Sequence, residues 1–212
     1  MLTTSLRRAS AFIALSSVLL IGWVESPAFR ASEDSQVRFE CFGPNIVKAA
    51  KGRFASVVTS LVIDPQDLTQ ASGSATVPLT SVVTDDPTWD ILFRAAPFLS
   101  IEEYPTSRFE LTAVEGARKL TPGKPLDLTI IGNFTLRDVT KPVRFPARVA
   151  WTPRSSKGPE VIRATGQIKI TWKEFGVRIP AGAAAGFAGE GTTVDFDLAF
   201  ERKHPRSSQK AP

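Results

Sequence analysis

Apolar and polar residues alternate with a period of two through most of the chain from Gln36 onward. The last stretch is the cleanest, with Val194, Phe196, Leu198 and Phe200 alternating with Thr193, Asp195, Asp197 and Glu201. A strand with this pattern turns one face to a core and the other to water. Ile168, Ile170 and Trp172 alternate in the same way with Gln167, Lys169, Thr171 and Lys173. Leu126, Leu128 and Ile130 do so with Asp127, Thr129 and Ile131, and lead through Gly132 to Phe134. The pattern predicts further strands over 37–42, 54–63, 73–80, 109–115 and 142–151. Turn residues fall between them, at Asp64-Pro65, Thr121-Pro122-Gly123 and Lys157-Gly158-Pro159. About eight antiparallel strands of this length make an all-β fold, a small closed barrel or a sandwich, and pattern alone leaves both open.

Two segments break the alternation. Asp86 has the chemistry of a helix cap and Pro87 that of a first helical residue, after which Trp89, Leu92, Phe93 and Ala96 share one face. Pro97 would end this short inserted helix, which either closes one end of the strands or faces whatever they enclose. Residues 181–191 are too rich in glycine for a stable helix on propensity alone and read as a flexible loop. Neither a GxGxxG nor a Walker spacing occurs there.

Ahead of the strands, residues 1–28 have the layout of a secretory signal peptide. Arg7 and Arg8 precede an apolar run from Ala11 to Val24, and Ser26-Pro27-Ala28 offers small residues for cleavage after Ala28. The run is short for a membrane span, which takes about 20 residues. An uncleaved N-terminal anchor is the alternative, and the flanks of the arginine pair fit the twin-arginine pattern poorly. The reading is an exported protein, periplasmic or extracellular, with no stable membrane span once the signal is removed. A domain over 36–202 and a disordered basic tail over 203–212 complete the organisation.

Composition removes several classes of chemistry. The net charge of +5 is spread along the chain, which argues against nucleic-acid binding, since that needs a concentrated basic face. The single histidine, His204, lies in the tail, and Cys41 is the single cysteine. No disulfide within the chain, zinc cluster or histidine-based triad can be assembled from these. Cys41 alternates with Val37 and Phe39, so burial as a small apolar residue is its expected state. Adjacent acids occur at Asp85-Asp86 and Glu102-Glu103, but neighbours in extended or turn segments point apart, and a solvated surface accounts for both. No catalytic residue and no metal ligand is expected.

Three blocks carry a resemblance to the YceI-like family of exported lipid-binding proteins. The first is Ser81-Val82-Val83-Thr84, then Asp90, Arg94, Phe98-Leu99, Tyr104-Pro105 and Phe109. The second runs Gly132-Asn133-Phe134-Thr135-Leu136-Arg137-Asp138-Val139-Thr140-Lys141-Pro142-Val143, and the third pairs Gly166–Ile170 with Glu174-Phe175-Gly176-Val177. The resemblance implies a lipocalin-like antiparallel β-barrel with an apolar channel for a polyisoprenoid-type lipid or an isoprenoid quinone, and no other cofactor. It leaves a homodimer open.

A barrel of this kind would line its channel with Phe54, Phe109, Phe134, Phe145, Trp151, Trp172, Phe196 and Phe200, together with Trp89, Leu92 and Phe93 from the helix. Asp90 and Arg94 would supply polar contact near the mouth. The family helix commonly carries an Arg before the Asp and a His two places after it, where this chain has Trp89 and Leu92. That exchange implies an apolar-tail binder rather than a head-group reader. The competing function is a filled envelope or stress-related barrel that acts through its surface.

Overall fold

The computed structural model describes residues 28–96, 98–179 and 185–202. The expected signal peptide up to Pro27, the helix-ending Pro97 and the tail from Lys203 lie outside the described residues, as do Pro180 and residues 181–184 of the expected loop.

The strands are β1 (Ala28–Ala31), β2 (Gln36–Phe42), β3 (Lys51–Phe54), β4 (Val58–Asp64), β5 (Asp67–Pro78), β6 (Val82–Thr84), β7 (Thr106–Glu115), β8 (Leu126–Leu136), β9 (Val139–Thr152), β10 (Val161–Thr171) and β11 (Gly191–Arg202). Helix α1 (Pro87–Arg94) lies between β6 and β7, and the single turn α2 (Ala185–Ala188) precedes β11. These segments form a closed antiparallel barrel of eight staves. Three staves are broken along their length. β1 and β2 both lie against β11, β3 and β4 lie beside them in turn, and β5 continues through a 3-10 turn at Leu79–Ser81 into β6. Read this way the barrel is a simple up-and-down meander.

Closure depends on β1, a strand the alternation does not announce. Phe29 is its one large apolar residue and is 0% exposed. It pairs with Arg202 on β11 and with Leu61 on β4, which joins the last stave to the rest. The expected strand over 54–63 is two strands, because residues 55–57 leave the ladder between β3 and β4. Trp172 likewise leaves its stave and opens a 3-10 turn, Trp172–Phe175, which ends at Gly176 with φ 67°.

Two apolar clusters close the ends. One gathers beneath α1 and contains Phe39, Phe93, Phe98, Trp172, Phe175 and Phe187. The other, at the opposite end, contains Phe29, Leu68, Leu120, Leu128 and Ile162. Helix α1 forms for the reasons its sequence suggests. The Asp86 carboxylate accepts from the Thr88 amide at 2.9 Å, Pro87 occupies the first turn, and Trp89 and Phe93 are buried four residues apart.

The loop expected over 181–191 needs correction within its described part. Residues 185–188 form α2, with Phe187 7% and Ala188 0% exposed. Tertiary burial overrides weak helix propensity here, because the Phe187 ring stacks on Trp89 at 5.2 Å and on Phe98 at 6.4 Å.

Candidate functional site

Inward residues at the two ends of the staves are buried, as packing requires: Leu128 is 3%, Ile162 1%, Leu136 4% and Ile170 2% exposed. Between them, on the same inward faces, Ile130, Phe134, Phe145, Ala164, Val194 and Phe196 are only half-buried. An inward apolar side chain keeps accessible surface only when the space in front of it is empty. The middle of this barrel is hollow.

The hollow has two chambers. The larger, about 190 Å³, is bordered by Phe109, Phe145, Phe196 and Phe200 among others. The smaller, about 80 Å³, lies under α1 and is bordered by Phe54, Phe93 and Trp172. Phe134 borders both. Space arises because several inward positions that would normally carry large side chains are small: Gly73, Ala75, Ala147 and Ala164. Rings also lie close against the wall. Phe196 pairs directly with Gly166, where a Cβ would come within 2.7 Å of its ring. Gly132 makes room in the same way for the ring of Phe109. Edge-on contacts then link Phe109 to Phe145 at 5.5 Å and Phe145 to Phe196 at 5.6 Å.

Among the described residues, no charged side chain lines either chamber. The lining hydroxyls belong to Ser60, Ser74, Ser107 and Thr192. Ser60 and Ser74 are opposite each other and alternate with inward-facing Leu61 and Gly73, so their side chains turn to the outside of the wall. Thr192 donates to the Glu40 carbonyl at 3.1 Å, and the Trp172 indole donates to the Ala188 carbonyl at 2.9 Å. Ser107, 7% exposed, is left as the inward hydroxyl at the boundary between the chambers. Such a surface can hold hydrocarbon and offers no acid, base or activated nucleophile. Cys41 borders neither chamber, and burial pushes its thiol up to about 12, with Thr192 opposing and Glu40 adding to the shift. Asp85, Asp86, Glu102 and Glu103 also lie away from the lining.

The wall is interrupted beside the larger chamber. Pairing between the first two staves stops at Phe29–Leu61 and resumes at Val37–Phe54. In between, the Thr59 hydroxyl accepts from the Ala31 amide at 2.6 Å. Val57, half-buried, and Ser60, exposed, border the chamber at this break.

Five of the sequence-derived candidates lie elsewhere. Trp89 is stacked on Phe187, with the Lys48 ammonium 5.0 Å above its ring, on the far side of the smaller chamber's cap. Leu92 packs against the helix-end cluster without reaching a chamber. Trp151 belongs to the opposite end, where its indole donates to Glu160 at 2.9 Å. Asp90 accepts from the Thr84 amide at 2.7 Å and Arg94 donates to the Val82 carbonyl at 2.9 Å, so both fasten α1 to β6 and neither stands at a mouth. Val37, Val77, Ser107 and Val194 line the chambers and are not among the channel residues expected from sequence. The small residues at 73, 75, 147 and 164 are visible in the sequence, but the register that brings them to one lumen is set by strand pairing.

A closed meander barrel with a charge-free apolar lumen is the build of a lipocalin-like binding protein. A family model for the YceI-like domain matches residues 31–200. The chain belongs to the YceI-like family. A UPF0312 protein of Pseudomonas paraeruginosa is 29% identical over 134 residues, covering 63% of this chain and 66% of that one. The chain thus spans just under two thirds of that relative's length. A UPF0312 protein of Shewanella baltica is 29% identical over 150 residues, 71% of this chain and 72% of its own. Among solved structures, Burkholderia cenocepacia BcnA superposes with a TM-score of 0.62 at 18% identity, over 78% of this chain and 95% of its own. A polyisoprenoid binding domain from Saccharophagus degradans gives 0.62 at 14% identity, over 84% and 99%. At these identities the structures report the fold.

Proposed function

We propose that this protein holds the tail of a long apolar lipid of polyisoprenoid type inside its barrel, for carriage or sequestration in the cell envelope. The observation that carries the reading is the hollow middle, where inward aromatic and aliphatic residues face empty space and no charge from the described residues enters the lining. Each buried methylene is worth about 0.8 kcal/mol, so an isoprenoid tail binds such a surface without a network of hydrogen bonds. The neighbouring fold from Saccharophagus degradans, described as a polyisoprenoid binding domain, supports the same ligand class. The family and the lining both favour binding over catalysis. The N-terminal layout of Arg7, Arg8 and Ala11–Val24 supports export.

The test is mass spectrometry of an organic extract of the protein purified from envelope fractions. An isoprenoid lipid or quinone at near-stoichiometric yield is the expected result. A protein that emerges empty and refuses a fluorescent polyprenyl probe overturns the reading and leaves a barrel that acts through its surface.

A further inference from the structure

We infer that the barrel measures its ligand: the boundary between the chambers is a waist that admits the tip of one apolar tail, and the enclosed length is about ten carbons, or two isoprene units. This rests on the lipid-holding reading and adds a length to it. The waist is made by Val37, Val77, Ser107, Phe134 and Val194, the residues that border both chambers. They come from β2, β5, β7, β8 and β11, so the constriction is contributed by five separate staves. Val77 and Ser107 are directly paired across it.

The volumes set the length. An engineered protein cavity of about 150 Å³ takes up benzene, a six-carbon ring. On that scale the larger chamber, about 190 Å³, holds roughly eight carbons. The smaller, about 80 Å³, holds roughly three. The larger chamber reaches the wall break at Val57 and Ser60, so a tail enters there. The smaller chamber is floored by Phe93, Leu99 and Trp172, and all three are buried. Phe93 meets the ring of Phe39, which also lines the chamber, at 5.4 Å, and behind the floor it meets those of Phe98 and Phe187 at 5.5 and 6.4 Å. A floor packed at that density does not yield a further isoprene unit without moving several rings together. The remainder of a longer lipid therefore stays outside the lumen and adds no buried surface.

Straight-chain primary alcohols of six to sixteen carbons, titrated calorimetrically into the purified protein, provide the test. Affinity should rise about fourfold with each methylene and then level off near ten carbons. Ser107→Leu narrows the waist and should move the break to about eight carbons. Phe134→Ala removes a ring shared by both chambers and should move it beyond ten. A steady climb through sixteen carbons in the unaltered protein overturns the gauge while leaving lipid binding intact. A break that stays in place in whichever variants fold overturns the assignment of the waist. Failure of every alcohol to bind overturns the gauge and the lipid-holding reading together.

Discussion

At the helix-capped end of the barrel, Phe93 is 1% exposed and touches three other rings. In the middle, Phe145 faces the same lumen and also meets two rings, yet remains half-buried. The chain uses the same residue type and the same edge-on geometry in both places. The difference lies in what stands opposite. Phe93 is held from three elements, α1, β2 and the turn that carries Phe187. Phe145 lies beside small residues on the same inward surface, Ala147 on its own strand and Ala164 on the next, and borders open space. The cap is built for rigidity and the middle for capacity. Truncation should separate them: Phe93→Ala should cost about 3–5 kcal/mol in urea unfolding, whereas Phe145→Ala should cost about half of that, since it enlarges space already present. Equal losses would break the comparison and show the middle to be as tightly packed as the cap.

Cys41 probes the cap from within. Its pKa is raised from 9.0 to about 12, chiefly because burial penalises the thiolate. Below pH 9 the folded and unfolded chains both keep the proton, and stability does not respond to this group. Above pH 9 the unfolded thiol ionises while the folded one does not, so stability falls by about 1.4 kcal/mol per pH unit until the folded pKa is reached. Cys41→Ala should remove that part of the slope in unfolding experiments between pH 9 and 11. An unchanged slope would mean that water reaches the thiol inside the folded cap.

The same contrast governs what could be read from sequence. Strand faces are periodic, so the inward placement of Phe109, Phe134, Phe145, Phe196 and Phe200 followed from alternation alone. Helix α1 was legible for a similar reason, since Asp86 and Pro87 act locally. What its apolar face meets was not legible. Trp89 stacks on Phe187, and the glycine-rich segment around Phe187 carries no local sign of a helix, because that turn is held by burial. Strand β1 escaped for a related reason, with one buried ring in four residues. The hollow itself depends on which small residues end up opposite which rings, and that is a property of register across staves.

Filling the hollow is a gentler test than emptying the cap. Ala164 is half-buried on the lining of the larger chamber. In a packed core, Ala→Leu typically costs about 1–3 kcal/mol through strain. Here Ala164→Leu should be neutral or stabilising by about 1 kcal/mol, because the added methyl groups leave water for existing space. It should also lower uptake of a ten-carbon alcohol. Destabilisation beyond about 1 kcal/mol would argue that the chamber has no room to give.

The smallest effect belongs to the outer surface of the same staves, and it decides whether the hollow middle depends on compensation from outside. Arg163 and Asp197 lie on β10 and β11, one residue from Ala164 and Leu198 but on the opposite face. The guanidinium grips both carboxylate oxygens, at 2.7 Å from Nε and 2.5 Å from Nη2, while the two side chains remain 54% and 39% exposed. The carboxylate holds the Arg163 pKa above its usual value, first through the hydrogen bonds and then through charge. Water screens a pair this exposed, so Asp197→Asn should cost about 1 kcal/mol or less, and less again in high salt. A loss above about 2 kcal/mol would mean that a barrel with little packing at its centre is held in shape by its outer ladder. The small loss expected instead places the stability of the middle in its backbone hydrogen bonds and in the two packed ends, which leaves the lumen free to be empty.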